Sequence, residues 1–346
     1  MKPAETVPPT FERGKVAGIV DVARLAGVSA MTVSRVMNGT GRVSAPTAER
    51  VRDAVAQLAY RPNLIAKALV RRQTSVLAVL IYDGEQPRRD PFFYDIILGA
   101  GDEASALGYD LLLYARRDHQ GQASRVAGSG FVDGVIIAGR HISAQDLTSF
   151  EQNGIPSVVL GRRSFAVDRT HSVFVDYRTS FRDLTTRLLE TGHRTIAIAG
   201  IAENFGPDDD KVKGCRDALK SRRRAGAELL VFPGDTTRDE GYRLAEAVWK
   251  AGATALISNG TFLTLGLHSW FQYHARRSWQ NLHLCVYSEY DPALLEPIHG
   301  TSRDYLEIVL PREHLGQVAV RTLVAVVKGE PVDGNTPIAL RVREPS

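Results

Sequence analysis

From Ser75 onward, short apolar runs alternate with amphipathic stretches, and this alternation limits the possible folds more than any other feature of the chain. The apolar runs fall at 76–82, 109–114, 134–138, 157–160, 173–176, 195–199, 228–232, 253–258, 282–287 and 306–310. Helical periodicity lies between most of them, as at 92–107, 177–190, 237–251 and 312–328. The strand runs are nearly all apolar rather than alternating, which is the pattern of parallel strands covered on both faces. A succession of β and α over this length predicts a doubly wound α/β body, here expected as two lobes. Ligands of such sheets sit beyond the C-terminal ends of the strands.

Residues 21–69 read differently. Ile19, Val22, Ala23 and Ala26 recur at helical spacing, Gly27 allows a sharp turn, and Ser29 suits the N-cap of a second helix. That helix, about 30–37, has Val33 and Val36 on its inner side. Ala30, Met31, Thr32, Ser34 and Arg35 lie on the other side. Two short helices across a Gly-containing turn make a helix-turn-helix, whose second member enters the DNA major groove. Arg35 can grip guanine bidentately, and Ala30 and Met31 offer apolar contact to a thymine methyl. Ser29, Thr32, Ser34 and Asn38 are expected on phosphates, where they set register without reading sequence. A third helix starts near Ser44-Ala-Pro46, with Val51, Ala54, Val55 and Leu58 inward. After Tyr60-Arg-Pro-Asn63 comes a segment too short to be helical by itself in water, as a hinge that folds on DNA would be. Leu69 is then an apolar wedge for a minor-groove step.

The pattern Asp21-Val-Ala-x-x-Ala-Gly-Val-Ser-x-x-Thr-Val-Ser-Arg-Val-x-Asn38, with Val51 and Tyr60-Arg-Pro-Asn63, resembles the LacI/GalR family of bacterial transcription regulators. The resemblance implies that Ala30, Met31 and Arg35 read bases, that Asn38 holds phosphate, and that Asn63, Ala66 and Leu69 meet the minor groove. It continues more weakly through Asp90-Pro-Phe-Phe93, Val132-Asp-Gly-Val-Ile136 and Gly192-His-Arg-Thr-Ile196, which look like the family's effector domain, itself similar to periplasmic sugar-binding proteins. The implied organisation is a disordered lead at 1–16, a head at 17–61, a hinge helix and linker at 62–75, and a body at 76–346. Lobe 1 would take about 76–174 and 302–331, and lobe 2 about 175–301 and 332–346.

Charge agrees with a nucleic-acid partner. Residues 1–75 carry 12 Lys and Arg against 5 Asp and Glu, whereas the remainder carries 31 against 34. A basic head on a mildly acidic body is what phosphate neutralisation requires. Cys215 and Cys285 stand far apart without a CxxC partner, which argues against zinc and disulfide frameworks. No apolar run approaches a membrane span, and the first 16 residues lack a signal core, so a cytoplasmic, nucleoid-associated protein is expected. A solute-binding protein for uptake would need a secretion signal and no such head. No GxxxxGK[ST], HExxH or GxSxG pattern is present, and no cofactor or enzymatic activity is expected. The run Asp208-Asp-Asp210 reads as a solvated loop turn, and His193 as a structural capping residue.

Several positions depart from the family. Gly161-Arg162 stands where Asp-Arg is common, Lys211 opens Lys-Val-Lys-Gly214 where an arginine is usual, and Ser258-Asn-Gly260 places Gly where a sugar-gating Asp is expected. The resemblance assigns effector contacts to Phe92, Phe93, Arg162, Lys211, Asn259 and Glu289. Lysine keeps the charge of arginine but not its planar fork. One reading is a more cationic cleft that takes a sugar acid, a phosphorylated sugar or another anionic metabolite. A second is a neutral sugar, with Asn259, Glu289 or Tyr290 replacing the lost contacts, and a third is a degenerate cleft. The expected function is a ligand-controlled regulator of carbohydrate-utilisation genes. It would bind a near-palindromic duplex operator as a homodimer, or a larger assembly built from one. Release by an inducer is favoured over a corepressor.

Overall fold

The computed structural model describes residues 17–60, 73–82, 92–114, 121–139, 142–162, 170–203, 205–222, 226–288, 292–298, 301 and 304–344. The chain divides into two compact units between Thr74 and Ser75.

The first unit is a three-helix head: α1 (Ile19–Ala26), α2 (Ala30–Asn38) and α3 (Ala45–Gln57). Its core is small, with Val22, Ala23, Ala26, Val33, Val51 and Ala54 buried, and Val36, Val55 and Leu58 packed around them. Gly27 turns the chain at φ 65°, a left-handed conformation that a side chain would strain. Ser29 Oγ accepts the Thr32 N–H at 3.2 Å and so satisfies one of the free donors that open α2. Removing that cap in Ser29→Ala is expected to cost about 0.5–2 kcal/mol of head stability. Denaturation of the full chain followed at the head transition checks it; an unchanged midpoint would show that α2 holds without the cap.

The body contains two six-stranded sheets. Strands β1 (Val76–Tyr82), β2 (Asp110–Tyr114), β3 (Gly134–Gly139), β4 (Ser157–Leu160), β5 (Thr170–Val175) and β11 (Asn335–Ile338) form the first, in the order β11-β5-β4-β3-β1-β2. Strands β6 (Thr195–Ile201), β7 (Glu228–Pro233), β8 (Ala255–Ser258), β9 (His283–Ser288), β10 (Asp304–Val309) and β12 (Arg341–Arg343) form the second, in the order β12-β10-β9-β8-β6-β7. Every described ladder is parallel except β10 with β12. On β1, Leu77, Val79 and Ile81 face one core, while Ala78, Leu80 and Tyr82 face another, as the two-residue strand period requires.

Helices cover both faces of each sheet. In lobe 1, α4 (Phe92–Ala106) and α12 (Arg312–Val327) contribute Ile96, Ala100, Leu315, Ala319 and Leu323 to one core. The short α5 (Gln122–Ala127) and α6 (Ala144–Gln152) close the other. In lobe 2, α7 (Tyr177–Glu190) and α8 (Gly206–Arg222) pack on one face of the sheet. The opposite face carries α9 (Arg238–Lys250), α10 (Thr261–His274) and α11 (Arg276–Gln280), with Trp279 fully buried.

Two sequence expectations need correction. The return to lobe 1 lies later than residue 302, because β10 pairs with β9 and stays in the second sheet. Only after Leu310 does the chain cross, placing α12 on lobe 1. It then adds β11 beside β5, so the crossing back to lobe 2, expected near 332, comes only after Ile338, before β12. The run 306–310 is equally apolar in either sheet, so its composition does not reveal which one it joins. The second correction concerns Asp208-Asp-Asp210, which is no loop turn. The three acids lie in the opening of α8, where carboxylates complement the helix dipole, and Asp208 is buried.

Candidate nucleic-acid interface and effector cleft

The outer face of α2 carries the groups expected to meet DNA. Met31 is 65% exposed, so its apolar side chain is open to a partner. Arg35 is exposed, lies alongside Gly41, and is in no ion pair among the described residues. Ala30 is half-buried at the start of the helix. Ser29 Oγ and Thr32 Oγ1 share a hydrogen bond at 2.9 Å, and Asn38 Nδ2 donates to Ser34 O at 2.8 Å and to Ser34 Oγ at 3.2 Å. The four polar residues assigned to phosphates thus form two pairs, one at each end of α2. Asn63, Ala66 and Leu69 lie outside the described residues.

In lobe 2, the strand ends meet a buried polar network. Lys211 is 3% exposed, and its ammonium donates to Asp208 Oδ1 at 2.9 Å and Asn259 Oδ1 at 2.7 Å. Asn259 Nδ2 donates in turn to Gly200 O at 2.7 Å and to Asp208 Oδ1 at 3.2 Å. The Ala202 N–H donates to Asp208 Oδ2 at 2.9 Å. The ammonium also lies 4.3 Å from the Tyr287 ring centroid and 4.9 Å from that of Tyr177, whose hydroxyls share a bond at 3.1 Å. Two of its three N–H groups therefore go to oxygens, and the rings provide cation–π contact for the ammonium. The network ties the ends of β6 and β8 to the first turns of α8.

Arg162 follows β4 in lobe 1. Its guanidinium lies 4.1 Å from the Phe174 ring centroid and 3.9 Å from Asp210 of α8, so the pair joins the two lobes. Arg312 opens α12 at a crossing between lobes and pairs with Asp95 of α4 at 2.7 Å. In lobe 1, Tyr82 donates to Asp146 at 3.4 Å, and burial followed by that carboxylate pushes its phenol up.

The structure brings Lys211 and Asn259 together but sets both inside lobe 2. Arg162, on lobe 1, is brought instead to Asp210, one residue before Lys211 on α8. Phe93 packs against the lobe 1 core. The Phe92 side chain and Glu289 lie outside the described residues. Asp208, Asp210, Tyr177 and Tyr287 were missed in the sequence. The available signal was an acid three residues before Lys211, the spacing of a helical ion pair. His193 bonds Thr254 through its ring at 3.0 Å, and its N–H closes the end of α7 on Leu188 O at 3.1 Å.

A family model described as bacterial regulatory proteins, lacI family, matches residues 18–63. Another, described as periplasmic binding proteins and sugar binding domain of LacI family, matches residues 73–283. The chain belongs to the LacI family. Among similar LacI-family proteins, the HTH-type transcriptional regulator CelR of Thermobifida fusca is 34% identical over 237 residues, 67% of this chain and 69% of the relative. Catabolite control protein A of Priestia megaterium is 27% identical over 92% of this chain and 94% of its own. These relatives are regulators rather than enzymes. A solved CelR–cellobiose complex matches with a TM-score of 0.63 at 27% identity, over 94% of this chain and 98% of the other. The Lac repressor dimer bound to operator and the anti-inducer ONPF matches with a TM-score of 0.73 at 23% identity, over 95% and 98%, a likeness of fold. This LacI-family chain is a DNA-binding transcription regulator with a helix-turn-helix head and a two-lobed periplasmic-binding-protein-like body. Among the described residues, no helix is long and apolar enough to cross a membrane.

Proposed function

We propose that the protein is a homodimeric repressor of carbohydrate-utilisation genes that leaves its operator when a neutral, sugar-like effector enters the cleft. The observation that carries the choice of effector is charge matching. Each of the three cations discussed has a carboxylate partner: Lys211 with Asp208, Arg162 with Asp210, and Arg312 with Asp95. An anionic ligand would have to compete with those acids, one of them buried, whereas hydroxyls can bond to both members of a pair. The cellobiose bound by the similar CelR structure supports the same ligand class. Two exposed apolar surfaces support a dimer. Tyr242 and Tyr273 stand out on α9 and α10, while Tyr94, Leu98, Leu112 and Leu113 stand out on α4 and the edge strand β2. A dimer presents two heads, hence the near-palindromic operator. Such a protein acts in the cytoplasm, on the nucleoid.

In the head, Arg35, Met31 and Ala30 read bases, and Ser29, Thr32, Ser34 and Asn38 hold phosphates. Asn63, Ala66 and Leu69 complete the reading in the minor groove. Selection of bound sites from random duplexes tests this. Arg35→Ala is expected to lose about 1–3 kcal/mol of discrimination at one operator position. An unchanged site profile would remove Arg35 from base reading. Titrating the recovered operator complex with neutral sugars, sugar acids and sugar phosphates tests the effector. Release by a neutral sugar is expected, and release by anions alone would overturn the charge argument. Tightening instead of release would make the effector a corepressor.

A further inference from the structure

Two of the three passages between lobes run side by side. Asp176 links β5 to α7, and Ala339-Leu340 links β11 to β12. The Asp176 N–H donates to Ile338 O at 2.9 Å, and the Leu340 N–H donates to Ser180 Oγ at 3.2 Å. Between α7 and this returning strand lies a groove of about 410 Å³. Leu184, Pro337, Ala339, Leu340 and Val342 give it apolar walls. Its size falls within the range of small-molecule sites, and its lining comes from α7, the two linking passages, Pro337 of β11 and Val342 of β12.

The charge around it is unbalanced. Arg187 is taken by Glu344 at 2.9 Å, and Asp183 by its neighbour Arg182 at 2.9 Å. Asp176 has one oxygen on the Thr179 N–H at 3.1 Å and is in no ion pair among the described residues. Arg178 acts on Asp176 only at a distance and is itself paired with Asp217 at 2.7 Å, so this carboxylate beside an apolar wall is complementary to a cation attached to an apolar body. We propose that this groove is a second ligand site, separate from the cleft, that binds a small amphipathic amine with its ammonium on Asp176 and its apolar part against Leu184 and Leu340. Because the groove is built from two interlobe passages, its shape changes with lobe orientation. Its occupant would then bind the two orientations with different affinity, the condition for coupling to another site.

Phenethylammonium is a suitable probe, and 2-phenylethanol is its neutral counterpart. Binding of each to the full chain is measured by calorimetry without DNA, so the result does not depend on the operator or the cleft effector. The ammonium is expected to bind saturably and about tenfold or more tightly than the alcohol, the size of a charge-assisted hydrogen bond. Asp176→Asn, which preserves the helix cap, is expected to remove that difference. Ala339→Trp, at an exposed position, fills the groove and is expected to abolish binding of both probes. Absence of saturable ammonium binding overturns the proposal. So does equal binding of the two probes, or binding that both variants leave unchanged. If the probe binds as expected, adding it to the operator complex shows whether the groove also acts on DNA affinity.

Discussion

Lys211→Met is expected to lower the stability of the body by about 3–5 kcal/mol, because removing one partner of a buried pair leaves the other charged and unpaired. Asp208 would keep its bonds from Ala202 and Asn259 but lose its cation, in a site that is 3% exposed. Combining Lys211→Met with Asp208→Asn should recover much of the loss, since replacing a whole buried pair by uncharged groups is often close to neutral. Urea unfolding of the single and double variants measures the coupling directly. A single-variant loss of about 1 kcal/mol or less, the size of an exposed pair, would mean that the network contributes little.

Gly266→Ala is the second large effect. A methyl group at position 266 would collide with the Arg238 carbonyl oxygen, and one at Gly241 with the carbonyl oxygen of Leu263. Helices α9 and α10 thus approach backbone to backbone through these two glycines. An added methyl must push them apart, which typically costs about 1–3 kcal/mol or more when the obstacle is main chain. The same displacement would shift Tyr242 and Tyr273, so dimerisation should weaken along with stability. Sedimentation and thermal unfolding of the variant measure both. An unaltered dimer with unaltered unfolding would show that the helix pair yields easily.

The head could be read from sequence because its determinants are local. Gly27, Ser29 and the apolar spacing of Val22, Ala23, Ala26 and Val33 lie within one short stretch, and each does what its chemistry implies. The sheets were legible for a related reason, since apolar runs mark strands wherever they pair. What remained hidden depends on distant partners. Asp208 looked solvated because an acidic run normally is. Its burial depends on the Ala202 N–H and on Asn259, which lies 51 positions further along the chain. The resemblance assigns Lys211 to the effector, and nothing near it in sequence except Asp208 announces what holds it in place. The Tyr177 and Tyr287 rings that occupy its surroundings come from separate elements. Strand β10 was assigned to the wrong lobe because pairing, rather than composition, chooses the sheet.

The three crossings between lobes have a consequence for synthesis. Neither lobe is a continuous length of chain. Until residues 304–344 have emerged from the ribosome, the first sheet lacks β11 and its covering helix α12, and the second lacks β10 and β12. Domains generally form as units in the order they are made. The head is therefore finished early, while both halves of the sensor wait for the same closing segment. A chain truncated near residue 300 would carry an intact DNA reader attached to two incomplete sheets with open edges. It would be a target for proteolysis and aggregation rather than a smaller regulator, and residues 304–344 would act as a checkpoint for the whole body.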